Sequence, residues 1–206
     1  MPAPQFRIVG LDAAQLDEFW RTRRDHQGST AQPFVDENGG WPLRCCLRDS
    51  RPGDELVTVA WSPFPWRGPY AESGPVVLHA QPCATPDRDD QVPTQFHGRR
   101  QILRPYGADR RIAYDHCRFV EPDDDLSATI AELLDVEDIV FIHARNVLSG
   151  CYSFTVQRTA AGDGQRPGVR GRSVGFRTEP DAVVRAGQDF HSGDGNLGNT
   201  RLPLSQ

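Results

Sequence analysis

The run Ile139-Val140-Phe141-Ile142 limits the fold more than any other feature of the sequence. Four consecutive apolar residues leave neither face of a strand for water, so this strand must lie inside a sheet that is covered on both sides. Polar residues follow from His143 onward, and after residues 144–150 a second strand pattern begins. In residues 151–156, Tyr152, Phe154 and Val156 alternate with Cys151, Ser153 and Thr155, which predicts an antiparallel hairpin with the first run.

Other segments extend the sheet. Phe6-Arg7-Ile8-Val9 reads as a short strand, and residues 75–80, 101–106 and 111–120 have strand character. Residues 42–48 alternate, with Leu43, Cys45 and Leu47 opposite Arg44, Cys46 and Arg48. A turn-rich stretch at 49–54 then returns the chain to 56–61, so these two are expected to form another antiparallel hairpin.

Two helices are predicted. Asp12 caps the first, with Gln15 completing a capping box and Leu11 able to staple onto Leu16, while Leu16, Phe19 and Trp20 share a face. Asp123-Asp124-Asp125 opens the second, where Leu126, Ile130, Leu133 and Leu134 face inward and the acidic run complements the helix dipole. The reading is an α+β fold, a mostly antiparallel sheet with two main helices, forming a single domain over residues 1–158. Beyond Arg158 the sequence turns Gly-rich and aperiodic, which predicts a loose, disordered C-terminal extension over 159–206.

Composition excludes several functions. All 23 basic residues are arginine, so chemistry that needs a lysine amine, such as a Schiff base, a pyridoxal phosphate attachment or a Walker-type phosphate loop, has no residue to carry it. A net charge of −5 argues against nucleic-acid binding, which draws most of its affinity from a positive surface. The N-terminus lacks a basic region followed by an apolar run of about 7 to 15 residues. No later stretch approaches the roughly 20 apolar residues that cross a bilayer, so the chain is expected to be cytoplasmic and not membrane-bound. The odd set of five cysteines, Cys45, Cys46, Cys83, Cys117 and Cys151, fits reduced thiols.

No Cys-x-x-Cys, His-x-His or His-Glu-x-x-His spacing occurs, and the adjacent His116 and Cys117 would leave a strand on opposite faces. Neither a metal nor another cofactor is assigned on this basis. The polar residues released after 139–142 form the principal candidate site instead. His143 is placed as a general acid or base, Cys151 as a nucleophile or pocket wall, and Asn146 as the residue that orients the imidazole. Arg104 and Tyr106, on another strand, are candidates to clamp a carboxylate or phosphate. The loop at 62–74 carries Phe64, Trp66 and Tyr70 between prolines and glycines, and Trp66 and Tyr70, with Ser73, complete the substrate-binding set.

Certain segments together resemble a bacterial family of unknown function, domain-of-unknown-function number 1203. They are Phe6-Arg7-Ile8 with Gly10-Leu11-Asp12, Pro52-Gly53-Asp54-Glu55, Pro69-Tyr70 with Ser73-Gly74-Pro75, Leu103-Arg104 with Tyr106, and His143 with Asn146, Gly150 and Cys151. The resemblance spans most of residues 6–158 and implies a small α+β domain without supplying an activity, cofactor or substrate. Where that family's pattern has Pro-Cys-Arg, this chain has Pro42-Leu43-Arg44.

Two functional readings result. The first is a cofactor-independent enzyme acting on a small polar metabolite in a His/Cys/Arg pocket at the end of the 139–143 strand. The second is a non-catalytic module that binds a small ligand or a protein through the aromatic loop. The sequence assigns no oligomeric state.

Overall fold

A computed structural model describes residues 6–159 apart from 85, 87 and 88; the expected 159–206 extension therefore lies, from residue 160 onward, outside the described residues. Eight strands form two antiparallel sheets. The larger has the order β1-β8-β7-β5-β6, built from β1 (Phe6–Val9), β5 (Gln101–Gly107), β6 (Arg118–Val120), β7 (Ile139–Asn146) and β8 (Tyr152–Arg158). The smaller has the order β2-β3-β4, from β2 (Pro33–Val35), β3 (Glu55–Trp61) and β4 (Gly74–His79). With helices α1 (Ala13–Thr22) and α2 (Leu126–Asp135), the fold is α+β and mostly sheet, as the sequence predicts.

The apolar run at 139–142 does occupy the middle of the larger sheet. Below it, α2 packs Leu126, Ile130, Leu133 and Leu134 against Leu103, Ile142, Ala144, Phe154 and Val156. The Asp125 carboxylate caps this helix by accepting from Ser127 N at 2.9 Å and Ala128 N at 3.0 Å. Likewise Asp12 Oδ1 accepts from Gln15 N at 2.9 Å, and α1 buries Leu16 and Phe19 in a second core with Leu56, Val59, Trp61 and Leu78 of the smaller sheet.

Three expectations are corrected. Residues 42–48 are not a strand: Leu43 N donates to Arg48 O at 2.9 Å, Leu47 has a left-handed φ of 52°, and the segment closes a loop bridged at Pro42 and Asp49. The partners of β3 are β2 and β4. Within 111–120 only Arg118–Val120 is strand, preceded by a short 3-10 turn, Tyr114–His116.

The third correction concerns β8. Ala144 pairs with Phe154 but Arg145 pairs with Tyr152, so Ser153 is the extra residue of a bulge. The bulge breaks the simple alternation. Phe154 and Val156 stay on the α2 face, whereas Tyr152 joins the core of the smaller sheet.

Candidate functional site

The face of the larger sheet opposite α2 carries Phe141, His143 and Arg145 of β7, because alternate strand residues share a face. Across β5, His143 pairs with Arg104 and Phe141 pairs with Tyr106, the last two rings stacking at 4.6 Å. His143 is not at the end of a strand, as expected, but in the middle of one. Its ring lies 4.8 Å from Phe64, 5.0 Å from Tyr106 and 5.1 Å from both Phe141 and Tyr152. Burial, then the Arg145 and Arg104 guanidiniums, hold its pKa well below the ordinary histidine value, so the imidazole is neutral.

The aromatic loop forms the roof over this imidazole. Phe64 is only 5% exposed, and its ring meets Tyr106 edge-on at 5.5 Å. Trp66 meets Phe141 at 5.7 Å, and the Arg110 guanidinium lies 5.4 Å from the Trp66 ring centre. Tyr70 packs partly buried against the same cluster. Phe64 is thus spent on the core, and Trp66 and Tyr70 are half-buried against it, so the expected row of exposed aromatics is corrected to a packed cluster.

Past the roof, Glu72 draws two arginines together. Arg104 Nη1 donates to Glu72 Oε1 at 2.6 Å, and Arg145 Nη2 forms an ion pair with the same oxygen. Arg145 also donates to Gly150 O at 2.9 Å, and its side chain is 5% exposed. Beside it lies a cleft of about 170 Å³ lined by Trp61, Glu72, Ser73, Arg145, Gly150 and Cys151, among others. The Cys151 thiol donates to Ser149 O at 3.8 Å.

The residues expected to act together divide into two groups. Arg104, Tyr106 and His143 do meet, on the closed part of the face. Ser73 and Cys151 line the cleft, but His143 does not. Asn146 orients no ring, since its Oδ1 accepts from Leu148 N at 3.0 Å and Ser149 N at 3.2 Å and builds the β7–β8 turn. An Asn at the start of a tight connection serves its own backbone more readily than a distant imidazole.

Three buried polar atoms on or beside this face have no hydrogen-bond partner among the described residues: Trp61 Nε1, His143 Nδ1 and Arg145 Nε. Buried polar groups are nearly always paired, with protein, water or ligand. His143 and Arg145 belong to that small exception. Arg145 has a second signature: two guanidiniums share one carboxylate, which leaves positive charge in excess. A larger hollow of about 590 Å³ runs openly along α1, and there His26 is already engaged, stacked on Trp61 at 4.1 Å and accepting from Ser62 N at 3.0 Å.

A separate cluster joins Cys45, Cys46, His79 and Cys83, whose sulfur and nitrogen atoms all lie within 4.8 Å of one another. These residues match no common ligand spacing, so the sequence alone gives them no role as ligands. The adjacent pair can converge because residues 44–46 form a turn, where the strand rule of opposite faces does not apply. Mutual hydrogen bonding of the thiols pulls Cys46 down and pushes Cys45 up in pKa. No disulfide links the five cysteines.

Among known families, the profile described as "Protein of unknown function (DUF1203)" matches residues 40–158, more than half of the chain. It takes in the larger sheet except β1, the cleft and the cysteine cluster. No curated protein and no solved structure matches. No helix among the described residues is long and apolar enough to cross a membrane.

Proposed function

We propose that this chain, which belongs to the DUF1203 family of proteins of unknown function, binds a small organic anion in the cleft at Arg145. The observation that carries the reading is the buried Arg145 guanidinium. It lines the cleft and, among the described residues, keeps Nε without a hydrogen-bond partner and shares the Glu72 carboxylate with Arg104. A planar guanidinium in this state is suited to a carboxylate or phosphate, which supplies both hydrogen-bond acceptors and the missing negative charge. The cleft volume suits a compact metabolite better than a nucleotide or a peptide, since drug-sized ligands occupy pockets of about 300 Å³ or more. The Ser73 position on the cleft wall adds a second polar contact.

Catalysis is the second reading, and Cys151 is the observation that favours it. Cys151 borders the same cleft, next to Tyr152, whose carbonyl accepts from the Arg44 guanidinium. His143, enclosed and neutral, then sets the polarity of the interior rather than exchanging protons with bulk solvent. In this reading the aromatic loop roofs the site, and the half-buried Trp66 and Tyr70 serve as its rim.

The test is a thermal-shift screen of acetate, malonate, succinate and phosphate at matched ionic strength. An anion at a hundred times its Kd adds about 2.7 kcal/mol of stability. At least one anion should raise the melting temperature of the wild type above the chloride control and fail to do so for Arg145→Met. The absence of any such shift in the wild type defeats the reading. Ligand-dependent protection of Cys151 from iodoacetamide supports the catalytic version, and unaltered alkylation removes it.

A further inference from the structure

We propose that Cys45, Cys46, His79 and Cys83 form a closed site for one structural zinc ion. Three sulfur donors and one imidazole nitrogen converge within 4.8 Å of one another, which is the donor set of a Cys3His zinc centre. Zn–S bonds of about 2.3 Å and a Zn–N bond of about 2.0–2.1 Å in a tetrahedron put sulfur and nitrogen roughly 3.6 Å apart. Here His79 Nδ1 lies 3.6 Å from Cys45 Sγ and 3.9 Å from Cys46 Sγ. An ion at the centre needs only small movements of side chains.

The surroundings also have the form of a metal site. His79 directs Nδ1 at the sulfurs, while its Nε2 lies 3.5 Å from Asp54 Oδ2. A carboxylate behind a ligating histidine holds the proton on the far nitrogen and leaves the near lone pair for the metal. The His79 backbone N–H donates to Cys45 Sγ at 3.4 Å, which stabilises negative charge on that sulfur. Three thiolates around a divalent ion carry a net charge of minus one, and Arg48, hydrogen-bonded to Cys46, offsets it.

The scaffold presents these ligands from two segments. Cys45 and Cys46 sit in the 42–49 loop, which Arg44 N ties to Val77 O of β4 at 3.0 Å. His79 is the last residue of β4, and Cys83 follows on the outgoing loop. One ion would therefore clamp the loop, the strand end and the connection together. Sulfur-rich tetrahedral donors favour zinc over magnesium or calcium, and four protein ligands leave no open position for substrate, so the role is structural.

The experiment uses the full chain purified under reducing conditions without chelator, with metal content measured by plasma mass spectrometry. One zinc per chain is expected. Cobalt added to chelator-stripped protein should give the visible bands of a tetrahedral ion and a thiolate-to-cobalt charge-transfer band, both removed by zinc. Cys83→Ser, changed at a half-exposed loop residue, should lose the charge-transfer intensity attributable to one thiolate and release zinc to a chromophoric chelator. Asp54→Asn should weaken zinc binding by about 10- to 100-fold. Cys117→Ser, whose thiol donates to Ala113 O elsewhere, should leave the spectrum unchanged. An octahedral cobalt spectrum, Cys83→Ser binding zinc like the wild type, or metal-free protein with a disulfide among these three cysteines overturns the proposal.

Discussion

Arg104 of β5 and Arg145 of β7 reach the same oxygen of Glu72, so one carboxylate from the roofing loop bridges two guanidiniums on the sheet beneath it and leaves one positive charge uncompensated. The loop is thereby tied to the sheet by charge at one end and by the Phe64 ring at the other.

Glu72→Gln leaves both guanidiniums without that partner. Breaking a fully buried pair costs about 3–5 kcal/mol. Glu72 is half-exposed and water shares the burden, so a loss of about 1–2 kcal/mol is expected from urea unfolding. Adding Arg104→Gln to the first change should recover part of the loss, a coupling that a double-mutant cycle reads directly. Equal and additive losses would show that the two arginines do not compete for the carboxylate.

His143 makes stability depend on pH. Its folded pKa lies below the unfolded value, which is near 6.5, so as pH falls through that range the unfolded chain takes up a proton and the native chain does not. Stability should fall on acidification, by up to about 1.4 kcal/mol per pH unit from this group. His143→Phe, which keeps a ring among Phe64, Tyr106 and Phe141, should flatten the slope of unfolding free energy between pH 5 and 6.5. An unchanged slope would place the titration elsewhere, with His26, also lowered by burial, as the next group.

Asp125 holds the start of α2 through two backbone amides. Asp125→Ala should cost about 1 kcal/mol, the usual worth of an N-cap, and Asp125→Asn only a fraction of it. Chemical denaturation of the three proteins tests the order.

Gly39 and Gly40 provide a paired test of the loop before the cysteine turn. Both have left-handed φ, +76° and +90°, and alanine at either position is strained by about 1–2 kcal/mol. A Cβ on Gly39 would stand 2.9 Å from Pro52 Cδ and 3.0 Å from Ser50 O, whereas one on Gly40 meets open space. Gly39→Ala should therefore lower the melting temperature more than Gly40→Ala; the reverse order would contradict the close approach of Pro52.

The sheet and helices were legible because they follow periodicity: the 139–142 run, the β8 alternation and the Asp12 and Asp125 caps are local signals. What escaped was set by contacts distant in sequence. Alternation in 42–48 looks like a strand, yet Arg44 is buried by donating Nε to Tyr152 O, and that long-range bond favours the loop. The Ser153 bulge left no mark in the β8 pattern and redirected Tyr152. In the candidate site, Arg104, Tyr106 and His143 share one face because Arg104 pairs with His143 across β5 and β7 and alternate strand residues lie on one side. Nothing local said that Phe64 would cover the imidazole, or that Glu72, which was not singled out, would join Arg104 to Arg145. The cysteine cluster was hidden for the same reason, because residues 34 positions apart, Cys45 and His79, meet only after β4 is laid against the loop.

Arg44 has a consequence for how the molecule fails. Its amide is fastened to Val77 in one sheet and its guanidinium to the Tyr152 carbonyl in the other, one residue from Cys151 and one from Cys45. Peeling away this short hinge exposes the thiol nest and slackens the wall of the cleft at Arg145 in a single event. Hydrogen exchange at the amides of Arg44, Val77 and Tyr152 should then quicken together, with one opening free energy common to both places.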